Sequence, residues 1–216
     1  MKYKFIIFDW DGTLMDSAAK IVNCMQLAAK QCGVAVPSAE EVGGIIGISL
    51  RPAIQKLFNT ADEVLTDQLF EAYKNTFIEQ DRTPSPMFDG ADALLSALKA
   101  DNRTLAVATG KARRGLDRCW NNTGTGVYFS YSRTADDAES KPSPDMILQL
   151  LAEAGVAPEE AVMIGDTTFD MQMARDAGVD RIGVSFGVHA QVHLENYAPQ
   201  TVVHSLGELQ AYLLAH

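Results

Sequence analysis

The chain has 216 residues, 47% hydrophobic and 21% charged, the balance of a folded globular protein and not of a disordered one. Its 28 acidic residues outweigh 18 basic ones for a net charge of −10, and no basic stripe or aromatic-interleaved basic run is present, which excludes nucleic acid as a partner. An anionic ligand would meet an unfavourable overall field, so its site must supply local positive charge from a metal, a lysine or helix ends.

Cys24, Cys32 and Cys119 form no C-x-x-C pair and are odd in number, which argues against a disulfide framework and for small core hydrophobes. The opening MKYKFIIFDWD is basic and then apolar, but Asp9 and Asp11 interrupt it long before a signal-peptide core is complete. No stretch approaches a membrane span, so no membrane partner is expected and the cytoplasm is the expected location.

Tyr3 to Phe8 is a short apolar run ending in Asp-x-Asp-Gly, the pattern of a buried parallel strand. Ile21, Met25, Ala28 and Cys32 then recur at helical spacing between Asp16 and Cys32, with Gly33 as the stop. Further helical patterns cover Ser38 to Ile46, Leu50 to Phe58 and Asp62 to Ile78, with no strand signal among them. Two prolines in Thr83 to Gly90 forbid a continuous helix and mark a boundary.

Beyond that boundary strands and helices alternate. Asp89 is expected to cap a helix through Lys99, followed by a strand at 103–109, a helix at 111–120 and a weak strand at 128–133. Ser143-Pro144 opens a helix to Ala154, with the proline expected at the first helical position, where its missing N–H costs nothing. Strand 161–166, helix 167–178, strands 181–185 and 201–205, and a closing helix at 206–215 complete the chain. The alternation predicts an α/β fold: a Rossmann-like, mainly parallel sheet with helices on both faces. The first strand belongs to that sheet, so 1–15 and 87–216 form the expected core and 16–86 an inserted all-helical domain.

Ligands of open α/β sheets gather outside the carboxyl ends of the strands. Four segments deliver polar groups to that edge: Asp9 and Asp11, Thr109-Gly110-Lys111, Lys141, and Asp166 with Asp170 behind it. Clustered carboxylates cannot all stay ionised in a confined site without a cation, which implies a hard divalent ion, magnesium fitting best. A lysine and a threonine suit a phosphate instead, as a point charge and a hydroxyl donor. Any one of these aspartates alone would be an ordinary turn former or helix cap; their convergence on one edge decides the reading.

Other inviting residues are set aside. His189 and His193 stand four apart without a carboxylate or cysteine partner and are assigned to a surface helix. Met171 and Met173 are taken as helix-packing residues, and Gly43-Gly44 and Gly124-Thr125-Gly126 as turns. Lys111, Arg113 and Arg114 are assigned to a solvated helix face, with assistance to an anion as the alternative. Gly12 supplies a turn a side chain would obstruct and Thr13 a hydroxyl to pin it. Gly47, followed by Arg51, is the expected contact from the inserted helices.

These segments resemble the haloacid dehalogenase superfamily over nearly the whole chain: FDWDGTL its first motif, ATGK its second, Lys141 in KPSPD its third and GDTTFD its fourth. The inserted helices are similar to the small helical cap of the branch that includes phosphoglycolate phosphatases and β-phosphoglucomutases. The resemblance implies that Asp9 attacks phosphorus to form an aspartyl-phosphate while Asp11 acts as acid and then base. It implies further that Asp9, the Asp11 carbonyl and Asp166 bind Mg2+, with Asp170 ligating or steadying it, and that Thr109, the Gly110 N–H and Lys141 hold the phosphoryl oxygens. Dehalogenases of the superfamily lack the second aspartate, here Asp11. The expected activity is hydrolysis of a small phosphorylated metabolite by a monomer or weak homodimer. The alternatives are a phosphosugar mutase with the same core residues and a non-catalytic binding protein, which would be expected to have lost Asp9, Asp11 or Lys141.

Overall fold

The computed structural model describes residues 2–216. Six strands, β1 (Phe5–Phe8), β2 (Thr104–Ala108), β3 (Phe129–Arg133), β4 (Ala161–Gly165), β5 (Asp180–Val184) and β6 (Thr201–Val203), form one sheet in the order β3-β2-β1-β4-β5-β6. Every strand pairing is parallel. A central parallel strand is covered on both faces, and this is why FIIF and AVMIG carry no polar residue. The period-2 alternation of side chains then sends Ile6 and Phe8 to one apolar cluster and Phe5 and Ile7 to another.

On the Ile6 face lie α5 (Ala91–Ala100), α6 (Arg113–Thr123) and α10 (Leu206–Ala215), contributing Leu94, Leu98, Leu116, Leu209 and Leu213. On the opposite face lie α7 (Asp145–Ala154) and α8 (Thr168–Asp176), contributing Ile147, Leu150 and Met173. Met171 and Met173 are both fully buried, as packing residues. Cys24, Cys32 and Cys119 are free thiols, Cys24 buried and the others half-buried. No helix among the described residues is long and apolar enough to cross a membrane.

Between β1 and α5 the chain builds a helical layer: α1 (Ala18–Gln31), α2 (Ala39–Gly43), α3 (Leu50–Leu57) and α4 (Glu63–Asn75), the last running into a π-helical turn at Thr76–Gln80. Local sequence starts these helices. Ser38 and Glu41 form a reciprocal capping box, and the Asp62 carboxylate accepts from the Val64 and Leu65 N–H groups. The layer has an apolar cluster of its own, centred on Ile21, Met25, Val42, Ile54 and Leu69. Its two connections to the sheet run side by side, with the Asp16 N–H donating to the Pro86 carbonyl at 2.8 Å.

Several element boundaries differ from expectation, and three of them bear on capping or on the histidine pair. The helix after the proline segment starts behind Gly90, not Asp89, because a left-handed residue (φ 86°) turns the chain into it and no side chain caps it. Pro144 occupies the position before the first helical residue, one earlier than predicted, and Asp145 begins the helix. His189 precedes α9 (Gln191–Glu195), whose N-terminal flank is Ala190, so it shares no helix with His193.

Candidate active site

Register sets the site. Phe8 pairs with Val107 of β2 and with Ile164 of β4, so three strands end level, and Asp9, Thr109 and Asp166 follow their last residues. The connection from β1 runs outward to β2 and that from β4 runs the other way to β5, which opens a crevice between β1 and β4 of the kind typical of a parallel sheet. All seven residues singled out in the sequence (Asp9, Asp11, Thr109, Gly110, Lys141, Asp166 and Asp170) gather at this edge. All but Gly110 are buried side chains.

Lys141 is the charge centre. Its ammonium lies 2.7 Å from Asp9 Oδ1 and 2.7 Å from Asp170 Oδ1, with all three side chains almost entirely removed from water. One ammonium faces three carboxylates, since ligand oxygens of Asp9, Asp166 and Asp170 come within 4.8 Å of one another. Asp9 Oδ2 has no hydrogen-bond partner among the described residues, and Oδ1 has only the ion pair. Burial, only partly opposed by Lys141, pushes the Asp9 carboxyl well above its ordinary range. Burial and the neighbouring Asp170 charge raise Asp166 to about 7. Lys141 is pushed up, because Asp170 and Asp9 outweigh its own burial.

Hydrogen bonds hold the remaining oxygens in place. Asp166 accepts from the Thr13 hydroxyl at 3.0 Å and the Val188 N–H at 2.8 Å. Thr13 thus pins a carboxylate across the sheet and not its own turn, a correction to the sequence reading. Asp170 Oδ2 accepts from the Thr167 hydroxyl at 2.6 Å and the Thr167 N–H at 3.0 Å, closing a capping box at the start of α8. Gly12 sits at φ 84°, and a Cβ there would overlap the Asp166 carboxylate, so the turn demands glycine twice over. The oxygen-only donor set, the unpartnered Asp9 oxygen and the excess of carboxylates over cations together fit a hard divalent cation.

Asp11 points elsewhere. Its Oδ1 accepts from Ser17 at 2.7 Å and its Oδ2 pairs with Lys111 at 3.0 Å, so its side chain stands outside the Asp9–Asp166–Asp170 group. Lys111 was assigned to a solvated face; it is instead a nearly buried site residue lying before α6. The available signal was position, since it directly follows Thr109-Gly110 at a strand end. Arg113 is half-buried, held by Asp137 at 2.6 Å and the Ser132 hydroxyl at 2.8 Å, whereas Arg114 is exposed. Thr109 Oγ1 accepts from the Lys111 N–H at 3.2 Å and so shapes the same loop.

His189 also belongs near the site. Its Nδ1 accepts from the Thr168 N–H at 3.0 Å, and burial lowers its pKa, so the neutral ring fixes the first turn of α8 next to Asp166 and Asp170. His193 is exposed, and no histidine joins the acidic group among the described residues.

The helical layer closes over this edge. A Cβ on Gly110 would lie 2.5 Å from the Gly47 carbonyl oxygen and 2.7 Å from the Ile48 carbonyl carbon, so the two backbones touch only because Gly110 has no side chain. The Ser49 N–H donates to the Ser140 hydroxyl at 2.9 Å. Gly47 therefore makes the expected contact, whereas the Arg51 guanidinium is drawn to Glu63 at 2.9 Å and to Asp67, both on α4. Between layer and sheet lies a cavity of about 860 Å³ that reaches Asp9, Asp11, Thr109, Gly110 and Lys111.

A carboxylate with a free, dry oxygen beside a buried ammonium, at the carboxyl edge of a parallel sheet, is an arrangement in which an aspartate can act as a nucleophile. The chain belongs to the haloacid dehalogenase-like hydrolase family, whose model matches residues 6–184. It is 32% identical over 209 residues to the probable phosphatase IndB of Dickeya dadantii, covering 94% of this chain and 90% of that protein. It is 29% identical to the phosphoglycolate phosphatase of Thiobacillus denitrificans, over 95% and 93% of the two chains. The crystal structure of a predicted phosphatase from Clostridium acetobutylicum superposes with a TM-score of 0.89 at 26% identity, over 100% of both chains.

Proposed function

We propose that this hydrolase is a magnesium-dependent phosphomonoesterase that acts on a small phosphorylated metabolite through an aspartyl-phosphate, with residues 16–86 serving as a cap over the core. The observation that carries this reading is the Asp9 carboxylate: one oxygen is paired to Lys141, and the other is buried and unpartnered beside Asp166 and Asp170. Asp9, the Asp11 carbonyl, Asp166 and Asp170 would hold the ion, which supplies charge neutralisation to nucleophile and phosphoryl oxygens.

The protein's own groups divide the remaining work. Asp9 attacks phosphorus as the ester P–O bond breaks, and Asp11 gives its proton to the leaving oxygen. Asp11 then takes a proton from water, whose oxygen attacks phosphorus and breaks the Asp9–phosphorus bond to release phosphate. Lys141, Thr109 and the Gly110 N–H stabilise the equatorial oxygens in a transition state that rests on positioning and electrostatics. Ser17 and Lys111 fix where the Asp11 oxygens stand between the two half-reactions. The helical layer excludes water from the attack.

The test is release of inorganic phosphate from a panel of phosphorylated metabolites, with magnesium and with a chelator. Asp9→Asn is expected to lower turnover at least about a thousandfold. It should keep the fold, because it removes a buried charge that burial disfavours. Normal hydrolysis by that variant, or an isomerised product without free phosphate, overturns the assignment.

A further inference from the structure

The cavity is larger than a phosphate on a two-carbon stem requires. Its volume of about 860 Å³ lies in the upper part of the roughly 300–1,000 Å³ typical of sites for drug-sized ligands. Its walls are of two kinds. One is aromatic: Phe70, Tyr73 and Phe77 follow one another at helical spacing along α4 and the π-helical turn, with the Tyr73 and Phe77 rings 5.8 Å apart. That wall starts at the chemistry, because the Lys111 ammonium sits 5.4 Å from the Phe77 ring and 3.0 Å from Asp11.

The other wall is cationic. Arg114 and Arg118, four apart on α6, both line the cavity, and neither has an ion pair or side-chain hydrogen bond among the described residues. Their neighbours Arg113 and Arg133 are held by Asp137 and Glu153 at 2.6 Å each. Asp136, also on this wall, accepts from the Arg113 N–H at 2.8 Å. In a chain of net charge −10, two unpaired arginines on a cavity wall that carries one acid, Asp136, form a locally positive surface. Guanidinium groups favour carboxylate and phosphate oxygens through paired N–H donors.

We propose that the substrate is a phosphate monoester with an aromatic or extended apolar body and a second anionic group, a carboxylate or another phosphate, taken by Arg114 and Arg118. This rests on the phosphomonoesterase reading and narrows it. Stacking on Phe70, Tyr73 and Phe77 holds the body, while the arginines fix the far end so that the ester phosphate points at Asp9.

The experiment compares kcat/KM for phenyl phosphate, 4-carboxyphenyl phosphate and 1,4-phenylene bisphosphate in the native enzyme and in R114Q, R118Q and the double variant. The native enzyme should prefer the two doubly anionic probes, and whichever of them is preferred assigns the second anion. That preference over phenyl phosphate should fall about tenfold to a hundredfold in the double variant, chiefly through KM. Arg118→Lys should restore part of it, which a merely structural arginine would not do. Turnover of phenyl phosphate with no preference for the charged probes, or a preference indifferent to both arginines, overturns this inference alone. No phosphate released from any of these aryl probes overturns this inference, and only failure across the metabolite panel as well overturns the phosphomonoesterase reading.

Discussion

The two sides of the cavity are built on opposite principles. On the sheet side, Asp9, Lys141, Asp166 and Asp170 are buried, and most of their atoms are committed to one another or to the backbone. On the helical side the charged groups are exposed or half-buried, and the contact with the sheet side includes the Gly110–Gly47 backbone approach, the Ser49–Ser140 bond, Lys56 over the Phe169 ring and Val188 against the layer's apolar cluster. The proposed catalytic groups are fixed by desolvation and mutual charge, whereas the proposed ligand-selecting arginines, Arg114 and Arg118 of α6, have no ion-pair partner among the described residues. Loss of the Lys141 charge shared by Asp9 and Asp170 should therefore cost stability and activity together, whereas a substitution confined to the helical side should separate them.

The largest effect should come from Lys141→Met, which leaves Asp9 and Asp170 without their shared cation. Removing one partner of a buried ion pair costs about 3–5 kcal/mol, so a denaturant melt should show a large loss of stability along with loss of phosphate release. A stable Lys141→Met protein would mean that the sheet side is not an electrostatic unit.

Next in size, Gly110→Ala places a Cβ 2.5 Å from the Gly47 carbonyl oxygen and must displace the helical layer. Overpacking of this kind costs about 1–3 kcal/mol, and kcat/KM should fall at least about tenfold while the sheet keeps its own core. Equal kcat/KM would show that the layer does not need to sit on Gly110 for turnover.

A third effect depends on pH. Asp166 titrates near 3.8 in the unfolded chain and at about 7 when folded, so the folded state holds its proton longer. Metal-free stability from this group therefore falls as pH rises from about 4 through about 7. Asp9 is raised in the same direction. Magnesium should offset that loss, raising the melting temperature by about 5 °C at pH 8 and far less at pH 5.5, given about 2–4 °C per kcal/mol for a chain of this size. A larger shift at the lower pH would contradict the burial argument.

The smallest effect belongs to Arg51→Ala. Its pairs with Glu63 and Asp67 are solvent-exposed, and such pairs contribute little. The melting temperature should not change measurably. A clear drop would move Arg51 from the free side of the comparison to the fixed one.

Much of this was legible beforehand for a local reason. A parallel strand covered on both faces must be continuously apolar, so FIIF and AVMIG announced themselves and the polar residues behind them marked the functional edge. Asp9, Asp11, Thr109, Lys141, Asp166 and Asp170 followed from that placement. Lys111 did not, because a lysine before a basic helix has the same local pattern whether it faces water or Asp11. Thr13 was seen as a turn residue because its partner, Asp166, lies 153 positions away. His189 was put on a helix by its spacing to His193, and only the bond to the Thr168 N–H shows that it belongs to α8. The Asp89 cap failed because a left-handed Gly90 starts the helix by backbone geometry, which side-chain preferences do not reveal.

The sequence by itself determined the strand and helix alternation, the inserted helices and the acidic strand ends, since each depends on periodicity or neighbours within a few residues. Tertiary structure alone decided which carboxylate shares Lys141, which oxygen of Asp9 stays free, and which arginines are left without acids on the cavity wall. Those outcomes depend on distances between segments remote in the chain and on the water excluded between them, and neither is written in local pattern.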